Sequence, residues 1–329
     1  EAYLVLEKIL APGEQLARDW GVDGTTGYSF MNEVGALAHD PDGENALREL
    51  WIEQTARSGD FDTEVQAARR RIPQELLAAD FNACAHAFHR LARAEIGTRD
   101  WSLAAIRRVL IEVLVQLPVY RTYIDASGRS EADSRVLQEV FAAAARHCRT
   151  SEVPLLGAFD RWLGAPSAST DGSPSLRRLR LRAIARFQQL SSPVAAKSVE
   201  DTAFYRHGLL LSRNEVGADP RQFSLSAEAF HTEGRSRAEH FPYAMLATAT
   251  HDHKRGEDAR MRLAVLSEEP GAWIAQVRHW RLRHEPLKFC IEGVCGPDAA
   301  DEVMLYQTLF AIWPSTLELS DQAALAALE

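Results

Sequence analysis

The first apolar stretch of the chain, AYLVL at residues 2–6, runs without interruption and gives way at once to Glu7 and Lys8, then to Pro12 and Gly13. A short continuous apolar run rich in β-formers is the pattern of a strand buried on both faces, and the Pro-Gly pair predicts a loop at its C-terminal end. The run AMLATAT at 244–250, ending in HDHKR, reads the same way, and so more weakly does PVAAKSVED at 193–201. In each, polar and reactive residues stand at the strand's C-terminal end, where ligands bind in open α/β sheets and parallel barrels.

Between about residues 44 and 190 the period becomes helical. Leu103, Ile106, Leu110, Val113 and Leu117 recur at helical steps until Pro118 stops them. Ser130 and Asp133 have the spacing of a capping box that opens a helix through VLQEVFAAAARHC. The stretch 60–95 is helical in composition, with a break near Pro73, so this block is expected to be an all-helical insertion between strands. SASTDGSPS at 167–175 is the best candidate for a flexible connection. After Arg255 the pattern is again helical, and CGPD at 295–298 predicts a turn before a helix near 301–312. Three strands are too few to close a barrel. The expected fold class is therefore an α-rich α/β arrangement divided into 1–43, the helical insertion 44–190, 191–265 with two further strands, and a helical segment 266–329.

Composition narrows the function classes. With 46% hydrophobic and 25% charged residues, the 329-residue chain has enough apolar material for one large or two medium cores. A net charge of −9 argues against a domain built to neutralise nucleic-acid phosphates, and the basic runs at 69–71 and 177–182 read as solvated helix faces. Cysteines at 84, 148, 290 and 295 form no CxxC pair, so neither a disulfide framework nor a zinc site is expected, and the compartment reads as a reducing cytoplasm. No stretch approaches the roughly 20 apolar residues that span a bilayer, so no membrane partner is expected. The chain opens inside a strand pattern without an initiator Met, which reads as a piece of a longer polypeptide.

Two places carry candidate chemistry. Glu7 follows a strand and precedes a loop, and a half-buried carboxylate at such a lip can have its pKa raised enough to donate a proton near neutrality. His251 and Asp252, with Lys254 and Arg255 close behind, bring donors and acceptors for several hydroxyls to one lip, as sugar recognition requires. The two histidines flanking Asp252 could instead ligate a metal, but neighbours in an extended chain point to opposite sides and a third partner is lacking. No metal is therefore expected.

The run EKILAPGEQL, GTTGY at 24–28, AKSVEDTAFYR at 196–206, NEVGADP at 214–220, ATATHDHKR at 247–255 and LYQTLFAIWP at 305–314 occur in an order that resembles the maltooligosyltrehalose synthase family of the α-amylase superfamily. The resemblance implies that residues 1–329 hold about strands five to seven of a (β/α)8 barrel together with a helical insertion. It implies that Glu7 is the general acid/base and that Asp252 holds the donor sugar ring and stabilises the transition state. His251 would bind sugar hydroxyls, Lys254 and Tyr28 would meet the reducing-end glucose, and Arg255, Lys197 and Asp201 would complete the lip. The nucleophilic aspartate would lie upstream of residue 1 and the eighth strand downstream of residue 329. Ser29, Ser198, His253 and Gly256 depart from the family pattern and bear on hydrogen bonding around that glucose.

The implied reaction moves the last α-1,4 linkage of a maltooligosaccharide to an α,α-1,1 linkage within the same molecule, with no cofactor or metal. The helical block and the loop at 21–30 are expected to exclude water while the glucose turns. An α-glucan hydrolase or an intermolecular 4-α-glucanotransferase would use the same carboxylates. A non-catalytic helical interaction module is the alternative of a different class.

Overall fold

The apolar spacing of the long central stretch produces the helices it predicts. In the computed structural model, which describes residues 2–164, 173–314, 317–318 and 320–326, the chain forms two compact units. One comprises residues 1–10, 15–61 and 204–329, the other 11–14 and 62–203. Within the first part of the chain lie β1 (Val5–Leu6), β2 (Gly24–Thr25), α1 (Tyr28–Leu37) and α2 (Glu44–Thr55). There follow α3 (Phe61–Arg71), α4 (Ala78–Ala94), α5 (Leu103–Gln116), α6 (Glu131–Ala145), α7 (Val153–Trp162) and α8 (Pro174–Val199). The chain continues with α9 (Ala227–His240), α10 (Glu257–Glu268), α11 (Pro270–His284), the hairpin β3 (Phe289–Ile291) and β4 (Val294–Gly296), and α12 (Ala299–Ile312).

In the helical unit, α4, α5, α6, α7 and α8 close around one apolar core. Ile106, Leu110 and Val113 of α5 are fully buried, as their spacing requires, and Ser102 caps the helix by accepting from the Ala105 amide at 3.2 Å. Phe88 lies at the centre, its ring 4.6 Å from Phe159, 5.9 Å from Trp162 and 6.5 Å from Phe187. Ser130 caps α6 from its expected position, taking the Asp133 amide at 3.0 Å. The Asp133 carboxylate receives the Ser130 hydroxyl at 3.1 Å and the Tyr123 amide at 3.3 Å, fixing the preceding loop as well.

Several expectations are corrected. PVAAKSVED does not form a strand, because residues 193–199 are the last turns of α8. The buried positions Phe187, Leu190, Val194 and Ser198 continue a helical period straight through Pro193, and a run as short as PVAA carries no information that separates strand from buried helix. AMLATAT forms no ladder either. It lies extended beside β2 with one bond, Met245 N–H to Thr25 O at 3.2 Å, and leaves Met245 and Leu246 exposed. The helical unit runs 62–203 instead of 44–190, since α2 buries Leu47, Leu50 and Trp51 among Leu263, Val277 and Val303 of the other unit. Of the basic run at 69–71, Arg69 is buried, not solvated: its guanidinium donates to the Val115 carbonyl at 3.2 Å and to the Leu117 carbonyl, and so caps the end of α5. Arg70 pairs with Glu112 at 2.9 Å. Of the expected connection at 167–175, residues 167–172 lie outside the described residues, and Ser173 caps α8.

The cysteine expectation is corrected as well. Cys290 and Cys295 face each other in register across β3 and β4 and are joined in a disulfide. The intervening Glu292-Gly293 turn, both residues at positive φ, brings them opposite. Cys84 and Cys148 remain free thiols. No helix among the described residues is long and apolar enough to cross a membrane.

Candidate active site

β1 and β2 pair in parallel, Val5 with Gly24 and Leu6 with Thr25. The pairing is extended by the Asp23 amide on the Leu4 carbonyl at 2.7 Å and the Thr26 amide on the Leu6 carbonyl at 3.1 Å. Parallel pairing sets the ends of both strands on one side, so that Glu7 leaves β1 where β2 turns into α1. Gly27 makes that turn. It has φ of +94°, and a Cβ there would stand 2.7 Å from the amide nitrogen of Ala247. The close approach lets the 244–247 segment run beside β2 and delivers the following loop to the same end.

That loop is held at both sides. The Thr248 hydroxyl donates to Glu257 of α10 at 3.1 Å and the Arg260 guanidinium donates to the Thr248 carbonyl. A turn from Thr250 to His253 follows, closed by the His253 amide on the Thr250 carbonyl at 3.3 Å. At its apex are His251 and Asp252.

The result brings Glu7 together with His251 and Asp252, which lie far from it in the sequence. His251 Nε2 lies 3.8 Å from Glu7 Oε1 and 3.3 Å from Asp252 Oδ1. Tyr28, the first residue of α1, is buried and donates its hydroxyl to Asp252 Oδ2 at 2.8 Å. Burial, and after it the Asp252 and Glu7 carboxylates, push the Tyr28 pKa up to about 12, against an opposing hydrogen bond with Thr250. Tyr28 therefore remains a hydrogen-bond donor that fixes Asp252. It stacks at 6.4 Å on His253, whose pKa is lowered mainly by burial.

Glu7 departs from expectation. Its side chain is 60% exposed rather than half-buried, since only β2 flanks the two-residue β1 among the described residues. His251 is 75% exposed. The two histidines flanking Asp252 do not converge on one point: His253 stacks on Tyr28, and Glu7 stands with His251 and Asp252 instead. One ligand atom from each of Glu7, His251 and Asp252 falls within 4.8 Å of the others, a spacing at which a cation could be held. The same arrangement of two carboxylates and an imidazole, open on one side and backed by a tyrosine, presents acceptors and a donor to a polyhydroxylated ligand.

The remaining expected residues are placed as follows. Lys254 stands over the Tyr205 ring at 4.9 Å. Arg255 is turned inward, its guanidinium 3.3 Å from Glu215 and donating to the Leu211 carbonyl at 3.4 Å. Lys197 and Asp201 belong to the helical unit, where they pair with each other at 2.6 Å, and Tyr120 donates to Glu200 nearby. Two residues that carry the site had received no role from the sequence: Glu215 and Gly217, both in NEVGADP. Nothing in the local sequence marks them, because Glu215 stands among Arg213, Asn214 and Asp219 and only its burial shows that it must be paired.

No protein-family model matches the sequence. The chain is 32% identical, over 97% of its length, to a Mycobacterium tuberculosis protein named as a maltooligosyl trehalose synthase, and spans 37% of that relative's length. Among solved structures it resembles the maltooligosyltrehalose synthase of Arthrobacter ramosus with a TM-score of 0.76 at 27% identity, covering 95% of this chain and 36% of that one. A Sulfolobus tokodaii structure described as a hypothetical maltooligosyl trehalose synthase matches with a TM-score of 0.65 at 28% identity, over 96% of this chain and 36% of its own.

Proposed function

We propose that the chain, similar along nearly its whole length to maltooligosyltrehalose synthases, carries the acid/base part of a glucan-processing site in trehalose formation. The observation that carries this reading is the meeting of Glu7, His251 and Asp252 within 4.8 Å, with Tyr28 donating to Asp252. Glu7 is the general acid and then the base. Asp252 holds the donor ring and stabilises its developing positive charge. His251, Lys254 and Tyr28 serve the sugars on either side of the scissile bond. Residues 1–10, 15–61 and 204–265 belong to the later part of a (β/α)8 barrel, with the helical insertion 62–203 carried on it.

In the reaction, Glu7 protonates the oxygen of the last α-1,4 bond of a maltooligosaccharide as a carboxylate nucleophile attacks the anomeric carbon. That nucleophile comes from polypeptide outside residues 1–329, about 5–5.5 Å from Glu7 as a retaining mechanism requires. The released glucose stays bound and turns. Its anomeric hydroxyl gives its proton to Glu7 and attacks the glycosyl-enzyme, which forms the α,α-1,1 bond and frees the nucleophile. Exposed Tyr3, Leu4, Tyr243, Met245 and Leu246 around β1 and the 244–247 segment support completion of the site by further chain, because such a seam is apolar surface left open to water. Residues 1–329 alone should show no turnover.

The openness of Glu7 and His251 favours one second reading, an α-glucan hydrolase, because water that reaches the acid/base competes with the retained glucose. Incubating the complete enzyme with maltopentaose separates the two. Loss of reducing ends without chain shortening supports the intramolecular transfer, whereas accumulating glucose and maltose would establish hydrolysis. Glu7→Gln in the same enzyme should lower kcat by about 100-fold or more, the usual worth of general acid–base catalysis. Unchanged activity would remove Glu7 from the chemistry.

A further inference from the structure

We infer that Glu215 is a positioning residue for the loop that presents His251, Asp252 and Lys254, and that the 213–217 segment locks this loop to α1. The inference rests on the reading of Asp252 and Lys254 as substrate-facing groups. Glu215 is fully buried. Its Oε2 accepts the Lys254 amide at 2.7 Å, its Oε1 lies 3.3 Å from the Arg255 guanidinium, and the Arg255 amide also donates to it. A buried carboxylate held this way satisfies successive backbone N–H groups that have no strand or helix partner, and it balances the inward-turned Arg255. Burial raises the Glu215 pKa, and the donors and the charges of Arg255 and Arg260 oppose that rise.

The same short segment reaches the other half of the site. Arg213, buried, donates to Asn32 Oδ1 of α1 at 2.7 Å and to the Gln222 carbonyl at 3.0 Å. Asn214, also buried, donates to the carbonyls of Phe204 at 2.9 Å and His207 at 2.5 Å, which fixes the segment from behind. Gly217 has φ of +83°, and a Cβ there would stand 2.8 Å from both Cβ and Cδ1 of Tyr28. The backbone at Gly217 therefore packs directly on the residue whose hydroxyl holds Asp252. Asp252 is clamped from its own side chain through Tyr28 and, two residues later, through the backbone of Lys254. Both clamps originate within 215–217.

Hydrogen exchange and steady-state kinetics on the complete enzyme test this together. In Glu215→Ala, the Lys254 and Arg255 amides should exchange about tenfold faster or more, as expected for loss of hydrogen bonds to a charged acceptor, with the amides of α12 unchanged. Turnover of maltopentaose should fall mainly in kcat, because a displaced Asp252 weakens transition-state binding more than ground-state binding. Glu215→Gln keeps an acceptor for the Lys254 amide and should recover part of both losses; it also serves if the alanine variant does not fold. Unchanged exchange at Lys254 in both variants, or faster exchange with unaltered kcat and KM, would overturn the inference. If the parent enzyme turns over no glucan yet the exchange change is seen, the anchoring stands and the functional reading fails.

Discussion

Acid should destabilise the unit that contains α1 and α10 through two histidines that are folded in the neutral form. His39 lies buried just past α1. Its Nδ1 faces the Gly35 carbonyl at 2.7 Å and must donate, which leaves Nε2 to accept from Ser212 Oγ at 2.7 Å. His207 packs edge-on to Phe61, with centroids 5.3 Å apart, and beside Trp51 at 6.1 Å, and its Nδ1 has no hydrogen-bond partner among the described residues. Burial, and next an arginine, Arg213 for His39 and Arg48 for His207, bring each pKa from its ordinary 6.5 down to about 4, against weaker pulls from the Gly35 carbonyl and Asp60. A folded pKa below the unfolded one means that the unfolded chain binds more protons through this window. Their contribution is thus fully present above about pH 6.5 and is lost as pH falls toward about 4. Each histidine accounts for roughly 3 kcal/mol over the whole window, and for roughly 2 kcal/mol between about pH 7 and pH 5. Urea unfolding at those two pH values measures the loss. His207→Phe keeps a ring beside Trp51 and Phe61 and removes one titration, so the variant should lose about 2 kcal/mol less than the parent between about pH 7 and pH 5. Equal losses in parent and variant would refute the neutral, buried state assigned to His207.

Gly217→Ala forces an L-residue into a left-handed backbone and against the Tyr28 ring, and should cost about 2 kcal/mol or more in urea unfolding, with faster exchange at the 250–255 amides. An unaffected variant would show that the backbone there has room to move. Phe88→Ala empties the centre of the helical unit and should cost about 3–5 kcal/mol, read by the far-ultraviolet unfolding transition. Thiol titration of denatured protein without reductant should find Cys84 and Cys148 only, and Cys290 and Cys295 in addition after reduction; four reactive thiols before reduction would remove the hairpin disulfide.

Helices were the most legible part of the fold. The burial of Ile106, Leu110 and Val113 and the caps at Ser102 and Ser130 are local matters, set by a repeat that the backbone geometry imposes over a few turns. Strands were legible only in part. β1 forms at the end of AYLVL, but β2 arises in GTTGY, where Gly24 and Thr25 have no apolar pattern, and AMLATAT makes a single bond to it. A strand exists by virtue of its partner, and partners lie far away in sequence. PVAAKSVED misled for a related reason: whether so short a run is strand or buried helix depends on what packs around it, and Leu190, Val194 and Ser198 are all buried on one helical face.

The sequence alone determined the chemical types at the site, since Glu7, Tyr28, His251 and Asp252 stand in motifs whose order resembled one family. What only the tertiary structure decided is their meeting: two parallel strand ends and a loop pinned by α10 set Glu7 and Asp252 on either side of His251, 244 positions beyond Glu7 in the chain (251 − 7). The tertiary structure also gave Glu215 a role. A carboxylate beside valine and glycine reads as ordinary until its burial shows that it must answer for two amides and an arginine. Distance along the chain hides such dependence, because electrostatics and desolvation act through space.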